Sequence, residues 1–325
     1  MSSRILSMAQ AINEAIAEEM RAQPELTLLG QDIGAYGGTF GVYRGLYEEF
    51  GPERVRDGPL CESGTVGFGI GLAISGMRAV VELEFIDFAP LALDQIVNQA
   101  AKMHYFYGGQ LTVPLVIRAP IASRIGMGPQ HSQSLESWFM HAPGLKVAIP
   151  SNAYDAKGLM KTALRDPNPV VFIENVKLYG ARCETPEKEY FIPFGQARVM
   201  REGTSATVVA LSATVPEAMA AAEALAEERI SVEVIDPRSL SPLDSGTIAA
   251  SVRKTGRLLV THDGYRTCGV AAEISQRVIE EAFDYLNAPI MRVAGADAPV
   301  PSSPLYRQAV PTREALIEAV RQLMK

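Results

Sequence analysis

The chain is poor in the residues that most often announce a compartment or a chemistry. It has only three cysteines, Cys61, Cys183 and Cys268, far apart and odd in number. That pattern excludes a disulfide framework and a clustered thiolate site, and it fits a reducing compartment, read here as cytoplasmic. The cysteines also give no metal-ligand spacing, and histidine is scarce, with four in the chain. No apolar run reaches the roughly 18 residues of a membrane span. The first four residues lead straight into a helical pattern, without the apolar stretch of a signal peptide. Positive charge is not in excess: the net charge is −7. A general nucleic-acid binder needs a basic face, so that class is excluded too. Internal repeats and low-complexity segments are also missing.

What remains is an ordinary globular chain, 47% hydrophobic and 21% charged. Its 325 residues are long for one core and comfortable for two domains. Ser7 and Gln10 make a capping box, and Met8, Ile12, Ala15, Ile16 and Met20 then share one helical face. Strands are expected at 26–29, 54–55, 79–85, 111–118, 145–149 and 170–173. Helices are expected at 43–50, 89–105 and 153–165. Glycine-rich loops cover 34–41 and 118–133. The stretch 177–194 is polar and without period, and reads as a linker. A second series follows, with strands at 207–211, 231–235, 257–261 and 290–293. Its helices fall at 216–228, 243–254, 270–285 and 313–324. Strand and helix alternate in both series, which predicts parallel sheets covered on both faces. The fold class is α/β, with two alternating α/β domains at 1–185 and 186–325.

The stretch 59–76 organises the reading. It is packed with glycine and holds one charge, Glu62, near its start. The glycines do not make a dinucleotide fingerprint. That motif needs a preceding strand and an acidic residue about 20 positions on, closing the next strand. They fit a helix that packs closely on a neighbour, at about 1 kcal/mol each against alanine, and so a crowded interface. Glu62 itself allows two readings, a dipole partner at a helix start or a ligand contact. His131 sits in a long polar loop, where a catalytic role and a structural one are both open. His104 and His141 sit beside aromatic or apolar residues and read as structural. His262-Asp263-Gly264 could be the start of a diphosphate cradle, but the paired asparagines such a motif needs are missing. It reads as a turn between strand and helix. Arg124 could meet a carboxylate of a ligand or be exposed, and the exposed reading is preferred.

Several ordered blocks match one family. They are Pro-Leu-Cys-Glu-Ser-Gly at 59–64, Phe-Ile-Asp-Phe at 85–88, Leu-Asp-Gln-Ile at 93–96 and Gln-His-Ser-Gln-Ser at 130–134. Further blocks lie at 143–147, 155–159, 165–170, 235–244 and 299–304. From about residue 5 to 323 the chain resembles the beta subunit of the thiamine-dependent decarboxylase component of 2-oxoacid dehydrogenase complexes. Pyruvate, branched-chain and acetoin dehydrogenase beta subunits are all similar to it.

The resemblance implies a transketolase-type pyrimidine-binding domain followed by a C-terminal transketolase-type domain. It implies thiamine diphosphate shared with an alpha subunit, which holds magnesium and the diphosphate, in a heterotetramer of two alpha and two beta chains. By resemblance Glu62 hydrogen-bonds the aminopyrimidine and Phe88 packs on it. His131 matches the histidine that transfers a proton during acyl transfer or steadies the substrate carboxylate. Leu115, Ala163, Leu164, Asp166 and Asn168 match a structural potassium site, held mainly by backbone carbonyls. The implied partners are the alpha subunit, a lipoyl acyltransferase core and a small 2-oxo acid. The loop at 121–128 follows no single subfamily, and the loop at 34–39 is short compared with some acetoin enzymes, so the substrate stays open. Alternatives are a transketolase-like or deoxyxylulose-phosphate-synthase-like carboligase subunit, and a non-catalytic subunit that stabilises a partner.

Overall fold

The computed structural model describes residues 3–325. The chain divides into two units. The first is the chain up to Ile121 together with Trp138–Phe194; the second is Ala122–Ser137 together with Gly195–Lys325.

The first unit enters through β1 (Ser3–Ser7), which pairs antiparallel with β8 (Arg182–Pro186). Helix α1 (Met8–Ala22) starts on Ser7 with the expected capping box. Six parallel strands follow: β2 (Leu26–Gly30), β3 (Val55–Asp57), β4 (Arg78–Glu82), β5 (Leu115–Ile121), β6 (Lys146–Ala148) and β7 (Val170–Asn175). They lie in the order β6-β7-β5-β4-β2-β3. Every residue of β2, β5 and β7 is buried. This is the continuous run expected of strands covered on both faces. Helices α2 (Leu46–Phe50), α3 (Glu62–Ile74), α4 (Ala101–Phe106), α5 (Glu136–Met140) and α6 (Ala153–Arg165) complete the order as far as β8. The chain leaves β2 for the outer strand β3, and α3 returns it to β4 on the other side of β2. The carboxyl ends of β2 and β4 therefore flank a topological switch point, where open α/β sheets bind ligands.

Three local expectations differ from the structure. The single helix expected over 89–105 is a 3₁₀ turn (Ile86–Ala92), a π-helix (Asp94–Ala100) and α4. Pro90 has no amide hydrogen, and that favours the tighter opening turn. The helix expected from 43 begins at Leu46, after Gly45 with φ 82°. The stretch 177–194 contains β8, whose mostly solvated ladder leaves no apolar period to read.

The second unit holds β9 (Arg198–Arg201), β10 (Ala206–Ala210), α7 (Thr214–Glu227), β11 (Val232–Asp236) and β12 (Ser239–Ser241). It continues with α8 (Ser245–Thr255), β13 (Leu258–Tyr265), α9 (Val270–Ala282), β14 (Met291–Gly295) and α10 (Arg313–Leu323). Its sheet runs β14-β13-β10-β11-β9, with only β9 antiparallel. Val208, Val215, Leu225, Leu259, Leu316 and Val320 build the core between sheet and helices. Asp263 and Gly264 lie inside β13, where a register shift between His262 and Tyr265 replaces the expected turn.

Candidate active site

Glu62 is the first residue of α3, and its N-cap Cys61 supplies no side-chain hydrogen bond. Among the described residues the half-buried Glu62 side chain makes no hydrogen bond or ion pair. It stands beside the unsatisfied amides of a helix start, which favour an anion there. The inner face of α3 lies against the sheet. A Cβ on Gly69 would meet Val81 Cγ1 at 2.6 Å and Leu115 Cδ1 at 3.0 Å, so glycine permits that approach. Phe88 sits in the 3₁₀ turn that follows β4, and α3 packs on that turn. Phe88 meets Phe85 edge to face at 6.2 Å, and Phe85 meets Phe40 at 5.6 Å. The connections leaving the sheet's carboxyl ends thus bring a carboxylate and an aromatic surface to the switch point.

The same sheet holds a buried charge cluster. Arg118, on β5, is fully buried. Its Nε donates to Glu174 Oε1 at 2.7 Å and its Nη2 to Glu174 Oε2 at 2.5 Å. Its Nη1 donates to Glu82, the last residue of β4. Tyr179 Oη donates to Glu174 Oε2 at 2.7 Å, and the Arg118 guanidinium lies 4.8 Å from the centre of the Tyr43 ring. One cation faces two carboxylates, and its fork is taken by Glu174. The Glu82 carboxyl is pushed up to about 7, first by burial and further by the Glu174 charge, against the pull of Arg118. These residues were not among those predicted from sequence. The available signal was a lone arginine in the apolar run of β5.

His131 lies in the second unit, within 122–137, and is half-buried. Its backbone N–H donates to Gly128 O at 3.2 Å. Arg124 corrects an expectation, because its side chain is only 7% exposed. The Asp263 carboxylate draws it in, accepting from Nε at 2.8 Å and from Nη2 at 2.7 Å.

Comparison with known sequences gives the family. The profile of the transketolase pyrimidine-binding domain matches residues 5–182, and that of the transketolase C-terminal domain matches 195–316. The pyruvate dehydrogenase E1 component subunit beta-1, mitochondrial, of Arabidopsis thaliana is 46% identical, covering 98% of this chain and 89% of that protein. The pyruvate dehydrogenase E1 component subunit beta of Rickettsia felis is 44% identical, covering 98% of each. The chain belongs to the pyruvate dehydrogenase E1 beta-subunit family. A solved structure titled a split gene transketolase, inactive beta4 tetramer, superposes with a TM-score of 0.81, covering 98% of each chain at 21% identity. At that identity the likeness speaks for the fold alone.

For this E1 beta-family chain, the site's donor set can be tested against the thiamine group that the family's domains imply. An unpartnered carboxylate and a half-exposed Phe88 ring suit a flat heterocycle with a hydrogen-bonding nitrogen. Among the described residues no group of three or more His, Cys, Asp or Glu could hold a metal. The five residues matched to potassium lie on β5, at the end of α6 and just after it. Arg78 Nη1 donates to the carbonyls of Leu164 and Asp166, each at 3.1 Å. The Asp166 carboxylate pairs with Lys146 and accepts from Asn168 N at 2.9 Å. Carbonyl oxygens suit a hard cation, but here a guanidinium already uses two of them.

Proposed function

We propose that this chain is the beta subunit of a thiamine-dependent 2-oxoacid dehydrogenase component, active only with an alpha subunit. The observation that carries the reading is Glu62, a carboxylate at a switch point with no partner among the described residues. Bound thiamine diphosphate supplies the electron sink that decarboxylation of a 2-oxo acid requires. Glu62 would hold the aminopyrimidine by sharing the carboxyl proton with its ring nitrogen, which accepts. Phe88 holds the ring by flat apolar contact and adds little polar specificity. His131 moves a proton during acyl transfer to a lipoyl group or steadies the substrate carboxylate.

The alpha subunit supplies the diphosphate and magnesium ligands, in a heterotetramer of two alpha and two beta chains. A lipoyl acyltransferase core is the further partner. Pyruvate is the first substrate to test, because the relatives carry its name; branched-chain 2-oxo acids and acetoin follow. Three free cysteines support a cytosolic setting. Potassium at Leu115, Ala163, Leu164, Asp166 and Asn168 is part of the proposal, with Arg78 as its neighbour.

The test is Glu62→Gln in the complex assembled with an alpha subunit. Turnover falls by about 10²-fold or more, the scale of a lost proton-transfer group. The unfolding midpoint of the variant stays close to wild type, since the substitution breaks no pairing among the described residues. Wild-type turnover in this variant would remove Glu62 from the mechanism.

A further inference from the structure

His262-Asp263-Gly264 has no part in the function above, yet it touches both ends of the loop that carries His131. We propose that this tripeptide is a clamp whose task is to position His131. His262, Asp263 and Gly264, with Arg124 and Glu136, are then positioning residues. The proposal rests on the reading of His131 given above.

At the start of the loop, Ser123 Oγ donates to Asp263 Oδ2 at 2.7 Å. Arg124 grips the same carboxylate through Nε at 2.8 Å and Nη2 at 2.7 Å. Its Nη2 also donates to Pro311 O at 3.0 Å, and its Nη1 reaches Glu217 at 3.4 Å. At the end of the loop, Glu136 Oε1 lies 3.5 Å from His262 Nδ1, with both side chains buried. Glu136 Oε2 accepts from Ser134 Oγ at 2.7 Å. His262 Nε2 accepts from the Ala271 N–H at 3.4 Å, which leaves a ring proton on Nδ1, facing Glu136. Gly264 lets the loop end close. A Cβ there would lie 2.8 Å from Glu136 Oε1 and 3.2 Å from Ser134 O. Between the two anchors, Met127 bridges to Ser302 and Gly126 O accepts from Ser303 N at 2.9 Å.

Buried ion pairs are weak devices for stability, because desolvation offsets most of their attraction; fixing register is their best-attested use. The Arg124–Asp263 pair at the start of the loop fits that use, and on the adjacent residue of the same strand the neutral His262 ring faces the buried Glu136 at the loop's other end. A glycine- and proline-rich loop would otherwise sample many conformations. A displacement near 1 Å of a reacting group is enough to slow turnover.

The test uses the complex with its alpha subunit. One variant joins Arg124→Gln with Asp263→Asn, which leaves no unpaired buried charge; a second is Gly264→Ala. Amide hydrogen exchange is followed over residues 125–133, and kcat is measured with His131 present and in a His131→Ala background. The clamp predicts faster exchange at 125–133 in both variants, with the global unfolding midpoint held. It predicts a fall in kcat of roughly 10- to 100-fold with His131 present. It predicts no further fall once His131 is gone, because both changes act through one group. Unchanged exchange, or falls that multiply in the two backgrounds, overturn the clamp. Wild-type activity in His131→Ala alone overturns the role of His131, and exchange over 125–133 then still decides whether the loop is clamped.

Discussion

Glu82 and Glu62 are both carboxylates at the carboxyl end of the same sheet, and their surroundings set them apart. Glu62 meets a helix start and, among the described residues, no side-chain partner; Glu82 meets a guanidinium shared with Glu174. The folded-state pKa of Glu82 is raised from 4.5 to about 7. A raised value means the folded state binds the proton more tightly than the unfolded one. The stability this contributes is complete below pH 4.5 and is lost as pH rises through about 7. Glu82→Gln keeps the neutral form at every pH. The difference in unfolding midpoint between the variant and wild type therefore widens, in the variant's favour, as pH rises across that window. A constant difference would show that Glu82 is ionised throughout. Glu62 was legible in sequence because a charge alone among glycines invites the question of its partner. The Arg118 cluster was less legible, since its members are scattered over three strands and meet only through the parallel register. Arg124 was misread for the same reason: its partner Asp263 is 139 residues away.

Helix α3 is the element on which the site depends, and its glycines do different work. Gly69 faces β4 and β5 with no room for a methyl group. Gly71 has nothing within 4 Å of an added Cβ. Gly69→Ala is expected to destabilise the chain by about 1–3 kcal/mol through overpacking. Gly71→Ala gains up to about 1 kcal/mol of helix propensity in the isolated chain. If the outer glycines serve a close subunit contact, the same Gly71→Ala weakens assembly with the alpha subunit. Denaturant melts of the free chain and sedimentation of the mixture separate the two effects. The turn after α6 gives another expectation. Potassium bound by its carbonyls predicts a higher unfolding midpoint in potassium than in sodium at equal ionic strength, and an equal midpoint would leave Arg78 as the cation of that site. At this scale the amphipathic helices and fully buried strands were readable from period and run length. The β1–β8 ladder was not, because most of its residues face solvent and carry no pattern. The broken helix over 86–106 hid behind good helix formers on both sides of Pro90.

For the whole molecule, two alternating α/β series were visible in the sequence, and both are present. The placing of 122–137 with the second unit was not visible, since it depends on pairings far along the chain. Glu62 and Phe88 belong to the first unit. The central claim is that Glu62 and Phe88 form only part of an active site, completed by another chain. The direct measurement is thiamine-dependent pyruvate decarboxylation, coupled to lipoyl reduction, for this chain alone, for its alpha subunit alone and for the two mixed. The account predicts turnover in the mixture only, lost when thiamine diphosphate is withheld. Turnover by this chain alone, or a stable mixture that binds no thiamine diphosphate, would contradict it.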